Sequence, residues 1–307
     1  MTLKNVFGQL KLYYQRASSV LTMNQRNLEY IYTSNQRKHY PIADDKLLTK
    51  QYLAKAGVPY PEVYQVYSYF YDLRNLEADL KKHEEFVIKP AKGSGGGGIM
   101  VIVRRDENYW YSIGGKAYDI DDIRKHLCDI IFGIYSFGLS DDVIIEKRIV
   151  QNPEIDEITQ QGLADVRLIV HHGKPVLSMI RLPTRASDGR ANLHQGAIGV
   201  GIDVASGRTV HATFKGTPID VHPDTGVNLL GRTIPYWSDV VATGLAISEI
   251  MPLKYLGIDI AISTEGPMVL EINVRPGIEI QNVNSSGMRG ILQNNMKAAG
   301  QIGKVAP

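Results

Sequence analysis

The sequence predicts an α+β protein in several lobes, and three observations carry that expectation. Short β runs and helical stretches mix without a regular βαβ rhythm, which argues against a doubly wound parallel sheet. Glycine fills nearly every position from Gly93 to Gly98, between two β runs. Further on, two alternating strands, Ile258 to Ile262 and Met268 to Asn273, flank the turn-rich Ser263-Thr264-Glu265-Gly266-Pro267. With 307 residues the chain can bury one or two substantial cores.

Taken in order, residues 1–45 are polar and aromatic and read as a short N-terminal lobe. Asp44 and Asp45 supply an N-cap, and Leu47, Leu48, Tyr52 and Leu53 recur at helical spacing until Gly57-Val58-Pro59 ends the helix. A second amphipathic stretch runs from Leu73 to Lys82. The period then changes to β at Phe86 to Pro90, Ile99 to Val103 and Val143 to Glu146. Further strands are expected at Val166 to Val170, Val176 to Leu182 and around Ile198 to Val204, with a buried helix over Asp239 to Leu253. The expected division is 1–45, then 46–150 carrying the glycine loop, then 151–307 carrying the hairpin.

Composition narrows the class. Apolar residues make up 44% and charged residues 21%, as in an ordinary globular protein. A net charge of +2 gives no reason to expect nucleic acid. The single cysteine, Cys128, cannot form an internal disulfide and reads as a buried, inert thiol. Charges interrupt the apolar residues at the N-terminus, and no run of 18 apolar residues occurs. The expectation is a soluble cytoplasmic protein that is not embedded in a membrane.

The segment Lys89-Pro90-Ala91-Lys92-Gly93-Ser94-Gly95-Gly96-Gly97-Gly98 contains a formal G-x-G-x-x-G. That fingerprint must open a helix, and here strand formers follow; nor does Lys-Ser or Lys-Thr follow the last glycine as in a P-loop. A strand–glycine-loop–strand flap remains, whose backbone N–H groups can close over phosphates while Lys89 reaches a phosphate oxygen. The plainer alternative is a flexible surface hairpin, which gives no return for the conformational entropy of so many glycines.

In the hairpin, Glu271 and Asn273 share a strand face. A loop over Ser263 to Pro267 would pair Ile262 with Met268 and set Asp259 opposite Glu271. Facing carboxylates repel unless a cation lies between them. Two carboxylates and an amide oxygen suit Mg²⁺ better than zinc. A solvent-facing edge with unrelated polar residues is the alternative. Arg167, in Ala164-Asp165-Val166-Arg167, either pairs with a neighbour such as Asp165 or aims at a transferring phosphoryl group. His194, in Arg190-Ala191-Asn192-Leu193-His194-Gln195-Gly196, has no support as a general base.

In this order, and with Asp45-Lys46, Glu146-Lys147-Arg148-Ile149 and Leu270 to Gly277, the segments resemble the ATP-grasp superfamily. Within it they resemble the ribosomal protein S6 glutamate-ligase group and its bacterial alpha-L-glutamate ligase-like proteins, from about Asp45 to Asn284. The resemblance implies an ATP-grasp fold, two α+β lobes holding ATP between them. It implies that Lys46 and Lys89 bind phosphates under the loop Gly93, Ser94, Gly95, Gly96, Gly97 and Gly98. Glu146 and the backbone of Arg148 and Ile149 would hold adenine, and Asp259, Glu271 and Asn273 would ligate Mg²⁺, or Mn²⁺ in its place. Arg167, Arg190 and Asn192 would face the γ-phosphoryl group, and Glu154, Asp156 and Glu157 compete for the ribose. Four departures stand out. Gln195 stands where the relatives tend to carry arginine, and Arg275 replaces a small residue. Pro153 to Gly162 looks longer, and the N-terminal lobe is shorter, with no βαβ start.

The implied reaction joins a carboxylate to an amine through an acyl phosphate, with glutamate or another amino acid as candidate substrate, free or in a peptide. One rival is an ATP-grasp kinase acting on a hydroxyl, and another is a nucleotide-binding regulator without turnover. The resemblance also allows a membrane-anchored, transglutaminase-like partner, and a homo-oligomer is compatible with the sequence.

Overall fold

The computed structural model describes residues 18–93, 95–159 and 161–300. They form two compact units. The smaller holds Asp45–Leu47 and Tyr60–Val150; the larger holds the described residues of 1–44, 48–59 and 151–307. Mixed helices and two antiparallel sheets make this an α+β fold.

The helix Lys46–Lys55 starts where the sequence says it should. Asp45 Oδ1 accepts the Leu47 N–H at 2.8 Å, a side-chain cap. Gly57, at φ +64°, turns the chain out, and the Val58 N–H donates back to the Leu53 carbonyl at 3.0 Å.

The smaller unit is a six-stranded sheet of β1 (Val63–Tyr67), β2 (Phe86–Pro90), β3 (Met100–Arg105), β4 (Trp110–Ser112), β5 (Ala117–Tyr118) and β6 (Val143–Glu146). Its order is β1-β6-β2-β3-β4-β5, so β2, which carries Lys89, is flanked on both sides. Phe86, Ile88, Ile102, Val143 and Ile145 pack with Ile123, Leu127 and Ile130 of the helix Ile120–Ile131. That helix was not among the sequence expectations. A capping box between Asp119 and Asp122 starts it, and apolar residues at 123, 127 and 130 make its buried stripe. Cys128 lies half-buried on it, its thiol pushed up by burial. The amphipathic stretch expected from Leu73 divides into a 3₁₀ turn, Phe70–Asn75, and a short helix, Leu76–Leu80.

The larger unit is a seven-stranded sheet of β7 (Asp165–His171), β8 (Lys174–Leu182), β9 (Ile198–Ile202), β10 (Thr209–Phe214), β11 (Thr217–Pro218), β12 (Tyr255–Ser263) and β13 (Gly266–Asn273). The order is β11-β10-β9-β8-β7-β12-β13. The helix Trp237–Ile250 packs on one face so closely that a Cβ on Gly244 would fall 2.5 Å from Leu168 Cδ2. Leu168 and Val170 thus face this helix, and strand alternation turns Arg167 to the opposite face. There Gln281 ties down Leu21 through hydrogen bonds of 2.9 and 3.0 Å. Asn35 does similar work beside β12. Its side chain donates to the Tyr255 carbonyl and accepts from the Lys254 and Tyr255 N–H groups, standing in for a strand. No helix among the described residues is long and apolar enough to cross a membrane.

Candidate functional site

In the larger unit the site starts from the hairpin register. Asp259 lies opposite Glu271, as the alternation predicts. The turn is tighter than expected: Ser263 pairs with Gly266, and Ala261 with Met268. A bulge at Leu270 takes up the one-residue difference before Asp259, so Asp259 meets Glu271 although Ile262 pairs with Pro267 rather than with Met268.

Asp259 is buried, and its carboxylate is the hub of a charge network across three strands. Arg167, its cross-strand partner on β7, donates through Nε to Oδ1 at 2.8 Å and through Nη2 to Oδ2 at 2.6 Å. Arg181 on β8 donates to Oδ2 at 2.9 Å and is held by Asp165 through two bonds of 2.6 Å. The Asn273 amide also donates to Oδ2, at 3.1 Å. The cation that Asp259 requires is therefore supplied by guanidinium groups. Arg167 is paired in the structure, with Asp259 rather than Asp165 as its partner, while Asp165 goes to Arg181.

The electrostatics follow from burial and pairing. Burial works against the Asp259 carboxylate, but Arg167 and Arg181 outweigh it and hold its pKa below the ordinary value. For Asp165, burial and the charge of Asp259 outweigh the pull of Arg181, and its pKa is pushed up to about 6. Burial alone would lower Arg181; the two carboxylates reverse this and raise it. Arg181 did not enter the sequence reading. A lone arginine near the end of the apolar run Val176 to Leu182 was its only signal, because such a charge needs a buried partner.

Arg190 and Asn192 lie in the β8–β9 loop. The Asn192 side chain accepts the His194 N–H at 3.0 Å and so caps the turn Leu193–Gln195, leaving its amide N–H₂ directed elsewhere. Arg190 is exposed. Among the described residues, neither side chain hydrogen-bonds to the Asp259 network.

In the smaller unit, Lys89 and Glu146 meet as a buried ion pair of 2.5 Å between β2 and β6. Lys46 Nζ donates to the Gly93 carbonyl at 2.7 Å, at the entry to the glycine loop. Gly95, Gly96 and Gly98 have φ of +65°, +79° and +76°, backbone that a side chain would strain. Ser94 lies outside the described residues. Sheet pairing stops at Glu146, where the Lys147 N–H turns to the Glu62 carbonyl at 2.8 Å. Arg148 directs its guanidinium to Glu85, at 2.8 and 2.7 Å, so its side chain is occupied and Ile149 follows outside the ladder. The three ribose candidates differ in what they touch. Asp156 accepts from Gln151 at 2.6 Å, Glu157 lies 3.6 Å from Arg232, and Glu154 is exposed at the start of the helix Pro153–Asp156.

Against this geometry stand the known proteins. The sequence model of the family described as "Sugar-transfer associated ATP-grasp" matches residues 25–297. The chain belongs to that family. The ATP-grasp chain is also similar to proteins named "Probable alpha-L-glutamate ligase". The one from Maridesulfovibrio salexigens is 24% identical over 277 residues, 89% of this chain and 70% of that protein. The one from Ectopseudomonas mendocina is 25% identical over 51% of this chain, which is 38% of its own length. For the Psychromonas ingrahamii protein the matched share of its own length is 37%, so the match takes in well under half of two of these relatives. Among solved structures, a Chryseobacterium gregarium RiPP-associated ATP-grasp ligase in complex with ADP and peptides aligns with a TM-score of 0.48 at 13% identity. It covers 89% of this chain and 63% of that one. D-alanine–D-alanine ligase from Bacillus anthracis aligns with a TM-score of 0.44 at 17% identity, covering 84% and 61%.

The donor chemistry of this ATP-grasp hairpin fits a hard divalent cation: carboxylates and an amide oxygen, with no sulfur or imidazole. Glu271 forms no ion pair among the described residues, and Asn273, having given its N–H to Asp259, keeps its Oδ1. Asp259 is different, since four donors already meet its two oxygens. As arranged, no group of three or more His, Cys, Asp or Glu among the described residues is poised around a metal.

Proposed function

We propose that this ATP-grasp chain is an ATP-dependent ligase that joins a carboxylate to an amine through an acyl phosphate. The observation that carries the reading is the Arg167–Asp259–Arg181 network beside Glu271 and Asn273 on one sheet. Fixed guanidinium groups next to hard oxygen donors suit the charge that spreads over a transferring phosphoryl group. In the larger unit, Glu271, Asn273 and Asp259 would hold Mg²⁺ or Mn²⁺, which would neutralise phosphate charge. Asp259 would exchange a guanidinium contact to do so. In the smaller unit, Lys46 and Lys89 would bind phosphates, the backbone of Gly93 to Gly98 would cover them, and Glu146, Arg148 and Ile149 would meet the adenine.

The chemistry balances in two steps. A substrate carboxylate oxygen attacks the γ-phosphorus and ADP leaves. An amine then attacks the acyl carbon, phosphate leaves, and the amine loses a proton. Arg167, Arg190 and Asn192 would orient the transferring group, so the protein needs no nucleophile of its own. The names of the relatives support glutamate, free or in a peptide, as the first substrate to try. Gln195 and Arg275, the latter 5.5 Å above the Tyr40 ring, are where this chain could differ in substrate.

Hydroxylamine trapping tests the reading, because hydroxylamine replaces the unknown amine. Incubation with Mg-ATP and a panel of amino acids and short peptides should give a hydroxamate and ADP, both lost in Lys89→Met. The family's association with sugar transfer favours one second reading, a kinase whose acceptor is a hydroxyl. It requires ADP release with a hydroxyl acceptor, a phosphate ester as product and no hydroxamate.

A further inference from the structure

One stretch of the smaller unit, residues 126–142, grips both roots of the glycine loop, and the proposed chemistry gives it no role. At the entry, both Asp141 carboxylate oxygens accept the Lys92 N–H at 3.0 Å, and the Ser136 hydroxyl donates to the same carboxylate. The Asp142 carbonyl accepts the Ala91 N–H at 2.9 Å. At the exit, His126 Nε2 lies 2.9 Å from the Gly98 carbonyl, to which the imidazole N–H donates. The Tyr135 ring packs on Gly98, where an added Cβ would fall 2.7 Å from Cδ2. Between these roots, Cβ positions on Gly95 and Gly96 would meet nothing within 4 Å.

A loop that is free along its whole length would spend its binding energy on its own ordering. Clamping both ends leaves only the tip to order, and aims its N–H groups. We propose that His126, Tyr135 and Asp141 are positioning residues that mount the glycine flap, so that closure over a nucleotide leaves its roots at Lys92 and Gly98 in place. The proposal rests on the ATP reading for what the flap covers, but not for how it is held. None of the three side chains needs to touch the nucleotide.

Amide hydrogen exchange, followed by mass spectrometry on the peptide spanning residues 93–100 of the full chain, reads the mount directly without nucleotide. His126→Phe and Tyr135→Ala should each speed exchange there by about three- to tenfold, the range expected for one lost hydrogen bond or contact. The rest of the sheet should keep its protection. His126→Gln, which keeps an N–H near Nε2, should stay within about twofold of wild type. KM for ATP should rise by a similar factor in the first two variants, with kcat changed much less. Unchanged exchange in the 93–100 peptide overturns the proposal, as does a uniform rise over the whole unit. Faster local exchange with no change in KM also overturns it. ATP protection of this peptide in the wild-type protein keeps that last result distinct from failure of the ATP reading, which would show as no protection at all.

Discussion

Acid should weaken the larger unit through one buried histidine. His171, at the end of β7, has no exposed surface. Its Nε2 lies 3.1 Å from the Ser34 hydroxyl, its Nδ1 has no hydrogen-bond partner among the described residues, and the rings of Tyr30, Tyr255 and His172 surround it. Among the described residues no carboxylate pairs with it. Burial, reinforced by the charge His172 can carry, lowers its pKa from 6.5 to about 3. The unfolded chain therefore binds a proton that the fold refuses, and stability falls with pH below 6.5. From pH 7 to pH 5 this amounts to about 2 kcal/mol, and the loss continues towards pH 3. Asp165, pushed up to about 6, works in the opposite sense over the same range. The wild-type profile alone therefore mixes the two. The assay is urea unfolding of wild type and His171→Phe at pH 7, 6 and 5. Wild type should lose about 2 kcal/mol relative to the variant over that interval. Parallel profiles would refute the claim that His171 stays neutral in the fold.

Two other perturbations test the charge network and the proposed metal ligands beside it. Arg181→Met leaves Asp165 buried without its bidentate partner and removes one donor from Asp259, and should destabilise the protein by about 3–5 kcal/mol at pH 7 in the same urea assay. Glu271→Gln keeps the shape and removes one charge. It should raise the Mg²⁺ concentration for half-maximal ADP release by on the order of tenfold, with little change in unfolding midpoint.

The local parts of the fold were legible because they depend on neighbours in the chain. Asp45 and Gly57 bracket a helix by capping chemistry alone, and Phe86–Pro90 and Val143–Glu146 are strands by their β-branched and aromatic content. Asp259 opposite Glu271 followed from a short turn and a period of two, and survived a bulge that the pattern did not contain. The helix Ile120–Ile131 was missed although its capping box and apolar spacing both lie in the sequence, so nothing physical hid it.

Other features depended on contacts between distant segments. Strand order puts β8 beside β7 and β7 beside β12, and only this brings Arg181, Asp165, Arg167 and Asp259 into one network. Repulsion between Asp259 and Glu271 was visible in the sequence, but the charge that answers it was not, since the two arginines come from 92 and 78 residues away. The glycine loop shows the same limit. Its composition announced a backbone built for close approach, while the residues that hold it, His126, Tyr135 and Asp141, lie up to 49 residues on and are brought back by the pairing of β6 with β2. Sequence determines which side chains a strand presents and on which face. Which charges meet there depends on how distant strands pair, and only the folded chain decides that.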